Sequence, residues 1–350
     1  MQILKVRNVH EALPRALRLL DQEGVERPSR NGPVLLGPSV TTVYEKPCER
    51  VLFWPTRDAN PFYHLYESLW MLAGRNDVAP LTRYAKNAVN YSDNGTTWHG
   101  AYGFRWRKWF QKDQLAVIAE QLIANPDDRR CMLQMWDANA DLGREGKDFP
   151  CNTIATFQRG VNGELNLVVF CRSNDIIWGA YGANAVHFSF LLEYMALWTG
   201  CSIGTYTQVS VNWHGYLDTL KQVHNLRPDK LNYVDNPYID GRVHPAQMFH
   251  GSIEDVDARI AALLFDVDSD FVHERQYNDD EPFFDAAYAL LEAHHLYRTR
   301  KAPLRFELAL ARLKRTDPQI DWVVAAREWL ERRFTAWKMK QVLTGDLSHG

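Results

Sequence analysis

Only five cysteines occur in this 350-residue chain (Cys48, Cys131, Cys151, Cys171 and Cys201), and no two are spaced as CxxC. An odd, scattered set excludes a disulfide framework and a cysteine zinc site, and it fits a reducing compartment. No apolar run reaches membrane-spanning length, and Met1-Gln2-Ile3-Leu4 does not open a signal peptide, so a soluble, cytoplasmic protein is expected with no membrane partner. Charge of one sign is also missing: 40 Lys and Arg stand against 43 Asp and Glu, for a net −3. That leaves no basic footprint for direct nucleic-acid binding, so an anionic partner must be small and locally held. Repeats, low-complexity tracts and a convincing linker are absent as well. What is present is apolar material, 46% of residues, ample for a core. The expectation is one domain over residues 1–350.

Local patterns alternate helix and strand. Val9 to Gln22 carries Ala12, Leu13, Ala16, Leu17 and Leu20 at helical spacing. A turn-rich basic loop, Arg27 to Pro33, precedes strand-like Val34–Leu36 and Val40–Tyr44. Asn60-Pro61-Phe62 starts a helix through Met71 that Gly74 ends. Residues 87–103 read as a polar loop of the kind that lines active sites. Leu115–Ala124 reads as helix and Arg130–Trp136 as strand. Thr153–Gln158 and Glu164–Phe170 form a hairpin about Asn162-Gly163. A long apolar helix, Ala185–Thr199, and a strand, Ile203–Asn212, follow. Beyond Asp280 come charged helices at 283–295, 304–313 and 322–340, expected as a helical extension. Composition and pattern support only a mixed α and β protein.

The chemistry concentrates at Phe149-Pro150-Cys151-Asn152-Thr153 and, about twenty residues on, at Arg172-Ser173-Asn174-Asp175. A free cysteine is usually core. Here it stands near a cation, a hydroxyl, an amide and a carboxylate. A thiol attacks only as thiolate, and neighbouring cations or donors lower its pKa toward neutrality. Glu67 lies mid-helix among Leu65, Leu69, Trp70 and Leu72, where a carboxylate needs a partner or a function. A thiol hydrolase would need His187 or His214 as its base, but no oxyanion loop or orienting triad is evident.

Six phrases in order resemble the thymidylate synthase family: His64-Leu65-Tyr66-Glu67-Ser68-Leu69-Trp70, Ala101-Tyr102-Gly103, Asp127-Asp128-Arg129-Arg130, Pro150-Cys151, Arg172-Ser173-Asn174-Asp175, and His214-Gly215-Tyr216. Together they cover most of residues 25–220. The resemblance implies an α/β (α+β) fold, a large twisted mixed sheet backed by helices, with two subunits packed sheet to sheet. It implies that Cys151 adds to carbon 6 of a pyrimidine nucleoside monophosphate, and that carbon 5 takes a one-carbon unit from 5,10-methylenetetrahydrofolate. Arg30, Arg129, Arg130 and Arg172 match the phosphate clamp, with Arg129 and Arg130 supplied by the other subunit of a homodimer. A dianionic phosphate suits such guanidinium forks. Ser173 would add a phosphate hydrogen bond, and His214 and Tyr216 would hold the sugar hydroxyl. Glu67 would relay protons, Tyr102 would assist proton removal at carbon 5, and Asp175 would contact the folate. No metal is implied.

The departures from that family share a direction. Asn152, expected among the catalytic residues, stands where a histidine follows the cysteine, and Asn174, expected among the substrate-binding ones, stands where a small residue or cysteine is usual. Tyr91 and Ala88 fall about where two tryptophans are expected, and the C-terminus, Thr344 to Gly350, is polar rather than apolar. These forms resemble the hydroxymethylase branch, in which water adds to the exocyclic methylene. The activity implied is 5-hydroxymethylation of a cytidylate or deoxyuridylate. A methyl-forming thymidylate synthase and a non-catalytic nucleotide-binding homologue are the alternatives. The base reader falls on Asn184 counting back from Met195, or on Ala183 counting forward from Arg172. Asn184 is preferred because alanine cannot read a base.

Overall fold

Branched and aromatic residues at alternating positions build one large mixed sheet. The computed structural model describes residues 1–223, 226, 235–247, 251–272 and 281–344. Among them the strands are β1 (Gln2–Val6), β2 (Val25–Arg27), β3 (Val34–Leu36), β4 (Val40–Tyr44), β5 (Met132–Gln134), β6 (Asn152–Arg159), β7 (Glu164–Asp175) and β8 (Ser202–Tyr216). Their order is β1-β4-β8-β7-β6-β5, with β3 paired to both β2 and β8. β1–β4 and β7–β8 run parallel, and the other pairs run antiparallel. The expected hairpin joins β6 to β7, and Gly163 supplies its φ of +87°.

β7 and β8 run further than their apolar text. Strand pairing continues through the polar motifs, with Ser173 beside Asn212, Asn174 beside Trp213 and Asp175 beside His214. Inward Asn174 and Trp213 are buried there, so the two motif clusters lie shoulder to shoulder on adjacent strands.

Helices cover one face. The Asn184–Trp198 helix, nearly all buried, lies over β7 and β8, and the Pro61–Leu72 helix packs against it. Asn60 caps the latter through Tyr63 N, Pro61 opens it, and Gly74 follows at φ +65°. The C-terminal helices, Pro282–Thr299, Leu304–Leu313 and Asp321–Thr344, share this core: Trp329 packs edge-on to Phe62 at 5.3 Å, and Trp322 lies 5.9 Å from Phe190. The Ile253–Asp268 helix, β1 and β2 were not expected. The 87–103 loop begins with a 3₁₀ turn, Lys86–Tyr91. The polar end, 345–350, lies outside the described residues.

Among the described residues, no helix covers the opposite face of the sheet. One row across it reads Ile3, Thr41, Val209, Phe170 and Ile154, and the next reads Lys5, Val43, Thr207, Val168 and Thr156. Phe170 and Val211 are exposed on that face, and the others, apart from Ile3 and Lys5, are half-buried. No described helix is long and apolar enough to cross a membrane.

Candidate functional site

Cys151 lines a cleft of about 630 Å³ bounded by the Arg27–Asn31 loop, Tyr91, the 147–149 segment, and the ends of β7 and β8. Six of the expected residues meet there: Arg30, Cys151, Arg172, Ser173, His214 and Tyr216. Arg27, Lys147, Asp148 and Asn212 join them without having been expected. Four cations thus face one acid in a chain of net negative charge, which concentrates a positive field at the cleft. Lys147-Asp148 directly precede Phe149-Pro150-Cys151, so their place was readable from adjacency alone.

The cleft's side chains are held from behind. Arg172 donates from Nε to the Pro150 carbonyl at 3.0 Å and lies over Trp136 at 5.3 Å, which fixes its fork next to the cysteine. Arg30 Nη1 donates to the Gly146 carbonyl at 3.0 Å and ties the basic loop across the opening. His214 Nδ1 donates to the Asn212 carbonyl at 3.1 Å, which leaves Nε2 as the acceptor for a ligand hydroxyl. Tyr216 packs edge-on against the His214 ring at 5.4 Å.

Burial pushes the Cys151 thiol above its usual value; Arg172 pulls it down and Asp148 pushes it further up. Lowering toward neutrality was the expectation from the motif. Here desolvation outweighs the single nearby guanidinium. Cys171 is buried beneath and donates from Sγ to the Ser173 carbonyl.

Below the cysteine lies a buried polar layer. Tyr102 Oη accepts the backbone N–H of Cys151 at 3.0 Å and of Asn152 at 3.1 Å. Burial holds its phenol far above the ordinary tyrosine range, so it stays protonated. Asn152, Asn184 and Asn174 form a hydrogen-bonded chain under the same floor. Asn184, one of the two positions weighed as base reader, thus has its amide bonded to the motif residues Asn152 and Asn174.

Other expected residues lie apart from the cleft lining. Glu67 accepts from Tyr63 Oη at 2.7 Å and faces His187 Nε2 at 3.1 Å, in a buried cluster under the helical layer. Asp175 caps the turn that follows it, with Oδ1 accepting from Ile177 N at 2.9 Å and Trp178 N at 2.6 Å. Its Oδ2 is buried without a formed hydrogen bond, and burial raises its carboxyl pKa. Arg129 and Arg130 sit on an exposed turn before β5, outside the cleft, with Arg130 paired to Asp128 at 2.6 Å. Of the two positions weighed against tryptophan, Tyr91 lines the cleft; Ala88 is buried, its carbonyl taking the Trp98 Nε1–H at 3.1 Å. No cluster of metal-ligating side chains occurs among the described residues.

A family model described as thymidylate synthase matches residues 49–258. A deoxyuridylate hydroxymethyltransferase of Pseudomonas phage M6 is 47% identical over 353 aligned positions, covering 99% of this chain and 98% of that protein. A second deoxyuridylate hydroxymethyltransferase, of Bacillus phage SP01, is 39% identical over 186 residues, 50% of this chain and 48% of that protein. Among solved structures, a thymidylate synthase from phage T4 superposes with a TM-score of 0.52 at 19% identity, covering 65% of this chain and 85% of that one. That likeness bears on the fold, and it agrees with the mixed sheet and its helical cover.

Proposed function

This chain belongs to the thymidylate synthase family, and from that membership we propose that it hydroxymethylates carbon 5 of deoxyuridylate. The observation that carries the reading is Cys151 on the floor of a cleft with four cations, in a chain nearly half identical end to end to a deoxyuridylate hydroxymethyltransferase. Arg30 and Arg172, with Arg27 and Lys147, would hold the 5′-phosphate; a dianion is matched by fixed guanidiniums rather than by one of them. His214 Nε2 and Tyr216 would take the sugar hydroxyl. Asn184 would read uracil, its N–H meeting O4 and its oxygen meeting N3–H.

With the ring so placed, Cys151 forms a bond to carbon 6 and the negative charge passes to carbon 5 and O4. Splitting the barrier by a covalent adduct is the use of such a nucleophile. Methylenetetrahydrofolate, when bound, supplies the one-carbon unit. Asp175 fits a ring N–H of such a group, because its Oδ2 is buried with no formed hydrogen bond, and exposed Trp178, stacked on Arg57 at 4.7 Å, offers a flat face beside it. Tyr102 remains a neutral phenol and would direct a water for removal of the carbon 5 proton. Glu67 would order water from its pairing with Tyr63 and His187. The bond between the one-carbon unit and the folate nitrogen would break, water would add its oxygen to that carbon, and Cys151 would then depart from carbon 6, with no net oxidation of the folate.

Two subunits, packed through the helix-free sheet face, would bring Arg129 and Arg130 into each other's clefts. The test is incubation with methylenetetrahydrofolate and dUMP, dCMP or CMP, with products weighed by mass spectrometry. A hydroxymethyl gain on dUMP is expected. A methyl gain with dihydrofolate would instead establish a thymidylate synthase, and binding without turnover of any nucleotide would establish a non-catalytic relative.

A further inference from the structure

Asn152, Asn184 and Asn174 are three amides from three different elements, the start of β6, the start of the 184–198 helix and the end of β7. Asn152 Nδ2 donates to Asn184 Oδ1 at 3.0 Å; Asn184 Nδ2 donates to Asn174 Oδ1 at 3.0 Å; Asn174 Nδ2 donates to Ser210 Oγ on β8 at 2.9 Å. All four residues are buried. Asn184 makes one of these bonds through each amide atom, so its oxygen keeps a second lone pair and its nitrogen a second hydrogen.

A run of amides has a direction. Asn152 Oδ1 is buried with no partner. Running the chain the other way would put the Asn152 NH2 there, leaving two hydrogens orphaned in place of one carbonyl oxygen, and an orphaned N–H is the rarer and costlier defect. The space for the chain is made by Gly179: a Cβ at that position would stand 2.5 Å from Asn174 Oδ1 and 3.4 Å from Asn184 Nδ2.

We propose that Asn152 and Asn174 are specificity-positioning residues that lock the Asn184 amide in the orientation presenting N–H to O4 and oxygen to N3–H of uracil, and so exclude cytosine. This rests on Asn184 as the base reader. An unlocked asparagine turns over at little cost and accepts cytosine, whose donor and acceptor are exchanged. The lock makes that turn break two buried hydrogen bonds. Neither Asn152 nor Asn174 needs to touch the base.

Two isosteric substitutions separate the lock from mere structural support, because they act in opposite senses. In Asn174→Asp the carboxylate still accepts from Asn184 Nδ2, and Ser210 turns its hydroxyl to donate, so the direction is kept. In Asn152→Asp the carboxylate can only accept, so Asn184 must turn its NH2 toward it and offer the reversed pattern to the base. The readout is the ratio of dUMP to dCMP dissociation constants, measured by calorimetry on the full chain. Binding is chosen over rate because a charge beside Cys151 slows turnover with either base. Asn152→Asp is expected to lower the preference for dUMP by about tenfold or more, while Asn174→Asp stays within about threefold of wild type. Equal ratios in both variants, or a loss in Asn174→Asp alone, overturn the lock. Asn184→Asp run alongside tells the two failures apart: if it leaves the ratio unchanged, the base-reader assignment falls, and if it shifts the ratio while Asn152→Asp does not, only the lock falls.

Discussion

Burial and the Arg172 charge act on the Cys151 thiol in opposite senses, and burial outweighs the charge. Its thiolate fraction therefore rises with pH through a range above that of a free thiol, and at neutral pH it is slow toward alkylation. Arg172 is the cation pulling the other way, so Arg172→Met removes that pull and the thiol moves further up. Iodoacetamide labelling of Cys151 at pH 8, followed by peptide mass, should slow by about tenfold in that variant. An unchanged rate would show that Arg172 does not reach the sulfur. The same residue should weaken nucleotide monophosphate binding by about tenfold or more, as expected when one charge-assisted fork is lost. At this scale sequence was most informative where chemistry and adjacency coincide, as at Cys151 and Arg172. It was least so for Asn152 and Asn174, whose amide side chains stood out as departures while their shared hydrogen bonds required three elements to converge.

Elements were legible where a local device announced them. The Pro61–Leu72 helix carries Asn60 before it and Gly74 after it, and the β6–β7 hairpin carries Asn162-Gly163. The Ile253–Asp268 helix had an equally local signal that went unused: Ser252 Oγ accepts from Asp255 N at 3.2 Å, and the Asp255 carboxylate accepts back from Ser252 N at 3.4 Å. Replacing Ser252 with Ala should cost about 1 kcal/mol and lower the melting temperature by a few degrees. A melting temperature equal to wild type would mean that water satisfies the freed N–H groups. Strand β1 had no such announcement, because Gln2–Val6 is a short edge strand exposed along much of its length and, among the described residues, paired to β4 alone. The ends of β7 and β8 were missed for a different reason. Their polar residues read as a loop, yet backbone pairing between the two strands carries them on, and that continuation is what sets Ser173 beside Asn212 and Asp175 beside His214.

The described residues form a helix-covered face, a sheet face that no described helix covers and a cleft at the strand ends that holds four cations. The rows on that face are dominated by β-branched residues, with exposed Phe170 among them. Arg129 and Arg130 stand exposed on a turn away from the cleft of their own chain. If a homodimer shares its arginines, each cleft takes its cysteine from one subunit and part of its phosphate clamp from the other. Cys151→Ala alone should then be inactive yet still bind nucleotide, and Arg129→Ala with Arg130→Ala should bind poorly. Co-expressed with different tags and purified as mixed dimers, the two chains place both defects in one cleft and leave the other whole. An unsorted equal mixture would hold half mixed dimers with one working cleft of two, so about a quarter of the wild-type rate should return. Purified mixed dimers without activity would show that Arg129 and Arg130 serve no neighbouring cleft, whereas activity in either parent alone would remove Cys151 or the arginine pair from the machinery.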